Sequence, residues 1–244
     1  VLVGSIVKPA LSELRPDAWT ARFLAGNIYR LGDDNLLRRL VKHLEDKEGF
    51  RVIGVDEIIP KLITPARCLT RASPSESDLA DIRAGVEAAK QLGYQDRGQG
   101  VIVDGGLILA REGQAGTDAM IDTISPLSAN QKPRGILVKV IKPEQERRVD
   151  LPTIGPETID AAVQSGLRGI SIEAGGSLIL DKHELVKRAD AAGVFVIGTA
   201  PLSLKELTLL WPLVYLIAGE PSADNLGAHL MSALKKVTNG KIRF

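Results

Sequence analysis

At 244 residues the chain has room for one large domain or two modest ones, and its 44% apolar and 25% charged make-up is that of a soluble globular protein. A formal net charge of +1 gives no bulk electrostatic reason to expect a nucleic-acid partner. Cys68 is the one cysteine, which excludes an internal disulfide and any Cys-x-x-Cys motif, and His43, His183 and His229, with no His-x-x-x-His pair, argue against a zinc hydrolase.

Val1 to Val7 is apolar and β-branched and predicts a buried strand, with a helix expected around Asp17 to Tyr29. After Gly32-Asp33-Asp34, the residues Leu36, Leu37, Leu40, Val41 and Leu44 fall on one face of a second helix, with the two aspartates complementing its N-terminus. Phe50 to Val55 reads as the next strand. These elements make a first region, 1–57. Residues 58–76, rich in proline and weak in periodicity, read as a connection, and Cys68 within it has no neighbouring base and reads as an inert thiol.

A second region, 77–202, opens with a helix from Ser77 to Gly93 whose apolar face is Leu79, Ile82, Val86, Ala89 and Leu92, capped by Ser77-Asp78. Gly100 to Leu109 and Gly169 to Leu180 then repeat one pattern: a short apolar strand, an acid, Gly-Gly and a second apolar strand. Both read as hairpins, with Asp104 serving the first turn and Glu173 kept as a site candidate at the second. Between them, Gly116-Thr117-Asp118 starts a helix, a pattern equally suited to capping and to receiving a phosphate. Helices from Pro156 to Gly166 and Lys182 to Gly193 and a strand from Val194 to Gly198 complete an α/β or α+β class with a mixed α/β second domain built with β-hairpins. The twelve-residue run Leu207 to Ala218, interrupted by Pro212, is shorter than the ~20 residues a bilayer span needs. No signal-peptide pattern opens the chain, so the expected compartment is the cytoplasm, with peripheral contact at the inner membrane surface.

The chemistry concentrates in Lys139 to Gly155, KVIKPEQERRVDLPTIG, which follows the apolar strand Gly135-Ile136-Leu137-Val138. Lys139, Lys142, Gln145, Arg147, Arg148 and Asp150 occur there together at a strand end. Several cations beside one aspartate suit a phosphate-bearing substrate, because the cations neutralise phosphoryl oxygens and the aspartate can hold a divalent metal or orient water. Composition alone leaves a solvated loop as the other reading.

The string KPEQERRVDLPTIG resembles the K-P-x-Q-x-x-R-x-D-L-P-T-I-G segment of the LpxI-type UDP-2,3-diacylglucosamine pyrophosphatases of lipid A biosynthesis. Gly32-Asp33-Asp34, Gly98-Gln99-Gly100, Gly116-Thr117-Asp118-Ala119-Met120 and Glu173-Ala174-Gly175 accompany it in the family's order, so the resemblance covers residues 1 to about 200. It implies a nucleotide-fold-like N-terminal domain, a C-terminal domain with its own topology, and lipid bound between them. It implies Mg2+-dependent hydrolysis of UDP-2,3-diacylglucosamine to UMP and lipid X (2,3-diacylglucosamine 1-phosphate), with water attacking the phosphorus nearer the sugar. The family's essential aspartate corresponds to Asp150. On that reading Lys142 and Arg148 join Asp150 as catalytic residues. Lys139, Gln145, Thr117 and Glu173 bind substrate, and Asp150 with Asp118 holds the metal.

Three departures qualify the resemblance. Ala115 stands where the family commonly has an acid, and Glu112, three positions earlier, matches the family and is the acid expected to cover that role. The family's glycine-rich opening is absent before Val1, which leads us to expect an N-terminally truncated member with a partial first domain. Residues 213–228 resemble the start of lipid-A-disaccharide synthase, with Ala223 in place of a glycine. Because that synthase consumes lipid X, a fusion of consecutive enzymes is expected, with 203–244 beginning the second. The alternative functions are a lipid X or nucleotide-lipid binding module without turnover, and a glycosyltransferase for which residues 1–200 are an appendage. The scattered histidines argue against the unrelated metallophosphoesterase that catalyses the same reaction.

Overall fold

The structure, a computed structural model, describes residues 33–124, 133–143 and 145–200, all of them within the unit Val1–Ala200. The elements expected at Val1 to Val7, at Asp17 to Tyr29 and over 203–244 lie outside the described residues. The strands are β1 (Gly100–Asp104), β2 (Leu107–Arg111), β3 (Ile136–Lys139), β4 (Thr153–Ile154), β5 (Gly169–Glu173), β6 (Leu178–Ile179) and β7 (Phe195–Thr199). The helices are α1 (Asp33–Asp46), α2 (Val55–Ile58), α3 (Glu76–Tyr94), α4 (Gly116–Asp122), α5 (Pro156–Gln164) and α6 (Lys182–Ala192). Five strands form one sheet in the order β2-β1-β3-β5-β7, with β3, β5 and β7 parallel and β1 antiparallel to both its neighbours. The α/β class is borne out.

β3 and β5 are buried along their whole length, which is why they read as continuous apolar runs and not as alternating ones. Successive side chains still point to opposite faces. Ile102, Leu137, Ile170, Ile172 and Val196 pack with Met120 and Ile121 of α4, Ile159 and Ala162 of α5, and Leu185 and Ala189 of α6. Each fully buried isoleucine or leucine there contributes about 1.5–3 kcal/mol. The other face takes α3, which lies so close that a Cβ added at Gly85 would sit 2.6 Å from Val138 Cγ2. Side chains in register with Val138 therefore face α3, and those one position on face α4 and α5.

The first predicted hairpin is present: Asp104 pairs with Leu107 across the two-residue turn Gly105-Gly106, both at positive φ. The second is not. β5 has a parallel neighbour on each side, so no edge remains for a returning strand, and β6 pairs instead with β4. The N–H groups after β5 are also spoken for, Ala174 donating to Thr199 O at 2.8 Å and Gly175 to Thr64 O at 2.9 Å. Phe50 to Val55 is likewise not a strand. Phe50 is 63% exposed, and Val52 and Gly54 donate to the side chains of Glu45 and Glu57 where a strand would donate to a neighbour. α3 begins one residue earlier than expected, capped by Ser75 with Asp78 completing the reciprocal pair.

At the end of the sheet where β1 finishes and β5 begins, Arg168 holds three carboxylates. Nε donates to Asp78, Nη1 to Asp104 at 2.8 Å and Nη2 to Asp81 at 3.1 Å. Asp81 also accepts from Gly105 N and Gly106 N at 3.0 and 2.7 Å, and Asp104 from Gly135 N at 3.1 Å. Asp104 thus does more than shape its turn: it joins the hairpin to β3 and β5.

Ile63 and Thr64 pair with Leu178 and Ser177, and the segment 65–69 then lies along the outer edge of β7. Leu69 N donates to Val196 O at 2.8 Å and Gly198 N to Arg67 O at 3.0 Å, and Cys68 bridges to Ile197. Cys68 Sγ faces Ala72 O at 3.3 Å, as a half-buried structural thiol does. Among the described residues no helix is long and apolar enough to cross a membrane.

Candidate functional site

The carboxyl ends of parallel strands are where open α/β sheets bind ligands, and Lys139 ends β3 there. Its side chain lies on the α4 face, one position on from Val138, with only 5% of the residue exposed. Nζ donates to Thr117 Oγ1 at 2.6 Å, and that hydroxyl donates to Glu112 Oε1 at 2.5 Å. Lys139 Nζ and Glu112 Oε1 are 3.9 Å apart, with Glu112 itself 7% exposed. Burial lowers the Lys139 ammonium below the ordinary lysine range, and Glu112, Asp118 and Asp150 pull it back up in part. One cation therefore stands within the field of three carboxylates.

Local backbone explains how these groups meet. Gly98 passes so near Glu112 that a Cβ would be 2.6 Å from its carbonyl oxygen. Gln99 N then donates to Glu112 Oε2 at 2.7 Å, and Gln99 O accepts from Val140 N at 2.9 Å. The Gly98-Gln99-Gly100 string thus fixes both Glu112 and the exit from β3. α4 is only seven residues long, starts at Gly116 with φ +85°, and carries no side-chain cap, so Thr117 is free to serve the lysine.

Beyond β3 the chain folds on itself. Gln145, 8% exposed, accepts from Lys142 N at 3.0 Å and donates to Asp150 Oδ2 at 2.5 Å. The amide thereby orients the carboxylate. A turn follows in which Val149 N and Asp150 N both donate to Glu146 O, at 3.1 and 3.0 Å. Leu151 and Pro152 are buried, and β4 pairs with β6, anchoring the far side of the loop.

Of the residues singled out from the sequence, Lys139, Thr117, Asp118, Gln145 and Asp150 form this one group. Three others are placed elsewhere. Lys142 turns to Asp96, with Nζ to Oδ1 at 2.9 Å. Arg148 is enclosed by carboxylates: Nε and Nη2 each donate to Glu146 at 2.8 Å and Nη1 to Glu45 at 2.7 Å. Glu173 shares the α3 face with Val138 and Ser171, and its charged neighbours are Lys90 and Arg147. Burial raises its carboxyl above the ordinary range, and Oε2 has no hydrogen-bond partner among the described residues. Glu112 and Gln99 emerge as site residues that the sequence marked only faintly, through the Gly-Gln-Gly string and the acid three positions before Ala115.

Among the described residues, the polar side chains around Lys139 (Thr117, Glu112, Asp118 and Asp150) offer oxygen, the donor set of a hard cation such as Mg2+ and not of a metal that seeks thiolate or imidazole. Among the described residues no three His, Cys, Asp or Glu side chains form a ready cage. Mg2+ is commonly held by one or two carboxylates with phosphate and water completing its shell, so Asp118 and Asp150 fit that mode.

Fold and site together define a mixed-sheet α/β protein with a buried lysine, a hydroxyl and acidic oxygens at the carboxyl end of its central parallel strand, an arrangement suited to a phosphate-bearing ligand. Residues 1–62 match the LpxI N-terminal domain and 65–197 the LpxI C-terminal domain, and the chain belongs to the LpxI family. It is 42% identical over 205 residues to the UDP-2,3-diacylglucosamine pyrophosphatase LpxI of Caulobacter vibrioides, an alignment that covers 81% of this chain and 73% of that protein.

Proposed function

We propose that this protein hydrolyses the pyrophosphate of UDP-2,3-diacylglucosamine, releasing UMP and 2,3-diacylglucosamine 1-phosphate. The observation that carries the reading is the buried Lys139, held by Thr117 and Glu112 next to Asp118 and Asp150. The named activity of the Caulobacter relative supplies the substrate.

In the reaction, a water oxygen bonds to the phosphorus nearer the sugar, and the bond from that phosphorus to the bridging oxygen breaks. The bridging oxygen leaves on UMP, and Asp150, oriented by Gln145, accepts the proton that the water loses. Lys139 donates to a phosphoryl oxygen as charge builds there, and its shielded setting makes that donation worth more than it would be in water. Asp118 and Asp150 are the carboxylates that would hold Mg2+, which supplies further positive charge beside the pyrophosphate.

Incubating the protein with UDP-2,3-diacylglucosamine and Mg2+ tests the reading. UMP should appear, and chelation should stop it. Retained lipid binding with no UMP from active-site-intact protein would replace this assignment with a binding module. The resemblance of 213–228 to the synthase that consumes the lipid product supports a second, coarser proposal, a fusion of consecutive enzymes. Sequencing the gene past the Phe244 codon tests it, and anything other than a glycosyltransferase there rejects it.

A further inference from the structure

The three nitrogens of the Arg148 guanidinium are each directed at a carboxylate, two at Glu146 and one at Glu45. Glu146 belongs to the same loop, but Glu45 sits in the last turn of α1, more than a hundred residues earlier in the chain. Glu45 is itself anchored, accepting from Val52 N at 3.2 Å. Arg38, on the same helix, adds a favourable charge to Glu146. A guanidinium engaged in this way would have to abandon two ion pairs before it could meet a pyrophosphate.

The loop side of the contact leads directly to the reacting group. Glu146, gripped through its side chain by Arg148, uses its backbone carbonyl to hold both Val149 N and Asp150 N. Farther along α1, Asn35 and Arg38 face Tyr94, Asp96 and Lys142 across a cavity of about 170 Å3. The helix therefore runs beside the loop from Lys142 to Arg148, with the Arg148–Glu45 bond as its direct link to the turn.

We infer that Arg148 is a positioning residue, a strut between α1 and the turn that carries Asp150, through which the seating of α1 sets where the Asp150 carboxylate points. The inference rests on the hydrolase reading for its kinetic test and on the geometry alone for its second test. Neither Glu45 nor Arg148 touches substrate in this scheme.

A double-mutant cycle on the intact chain distinguishes a strut from a phosphate-binding arginine. Glu45→Gln and Arg148→Met should each lower kcat about tenfold, with KM within about twofold, and the double variant should be no slower than the worse single one. Wild-type kcat in Glu45→Gln, or losses that multiply in the double variant, would overturn the proposal. Backbone amide exchange provides a readout that needs no turnover. Glu45→Gln should speed exchange at Val149 and Asp150 while Ile172 in β5 stays as slow as in the parent. Unchanged exchange at Val149 and Asp150, or acceleration that extends equally to Ile172, would sink the strut. A parent that releases no UMP counts against the reaction assignment and leaves the exchange test standing.

Discussion

The two ends of the central sheet carry clusters of the same charge count, one cation among three carboxylates, and they are built for different ends. At the Arg168 end every guanidinium nitrogen has its own carboxylate, and the carboxylates also accept backbone N–H groups of the hairpin turn, of Gly135 and of Ser75. A planar fork with fixed directions suits that stapling role. At the Lys139 end the ammonium makes one short bond, to a hydroxyl, and stands 3.9 Å from its nearest carboxylate. Its remaining donors, and the oxygens of Asp118 and Asp150, keep capacity for something else. Among the described residues the Arg168 cluster is saturated and the Lys139 cluster is not, and on the proposed function that spare capacity is what a phosphate would use.

The largest effect expected from breaking this contrast is at Asp150. Asp150→Ala should lower UMP release by at least about 100-fold, with lipid affinity and melting temperature near those of the parent. Parent-like turnover would show that the Lys139 end is not the reacting site. The next effect is about tenfold and concerns pH. Because Lys139 titrates below the ordinary lysine range, activity should begin to fall on the alkaline side before pH 10.5, as the ammonium is lost. Glu112 raises that pKa, so Glu112→Gln should move the alkaline limb of the pH–rate profile still lower. A limb that stays put would remove Lys139 from the chemistry.

The Arg168 end should respond in the opposite currency. Arg168→Ala should cost about 2 kcal/mol in chemical denaturation, by leaving three carboxylates short of a partner, while kcat of the folded protein is unchanged. A loss of kcat with stability intact would erase the distinction between the two ends. The smallest effect is in acid. Burial opposes ionisation of Asp78, but Ser75 and Arg168 outweigh it and hold the carboxyl below its ordinary 3.8. The stability this provides is fully present above pH 3.8 and disappears as pH falls through the lower folded value. Arg168→Ala brings the folded value back towards the unfolded one, so the variant's melting temperature should lose less between pH 4 and the acid limit than the parent's does.

What was legible in the sequence was whatever depends on local pattern. The period of Leu36, Leu37, Leu40, Val41 and Leu44 marks α1, and the apolar run ending at Lys139 marks β3 and the site beyond it. What was not legible depends on partners far away in the chain. Gly100–Leu109 and Gly169–Leu180 share one pattern, yet the first closes a hairpin and the second cannot, because β5 is flanked by β3 and β7. Arg148 and Lys139 look alike as cations of one charged stretch, and only their neighbours separate them: Arg148 meets two carboxylates and Lys139 a hydroxyl. Glu173 shows the same limit, since a two-residue period decides that it faces α3 while Lys139 faces α4.

The strip of chain along β7 has a practical meaning for anyone cutting this molecule. A fragment begun at Ser77, where the helical pattern starts, would bare the N–H of Gly198 and the carbonyl of Val196 along an open strand, a template for another copy to pair with. A fragment begun ahead of Ile63 keeps that flank covered. The stretch ahead of that helix thus acts as a selvedge, the woven border that keeps the cloth from unravelling.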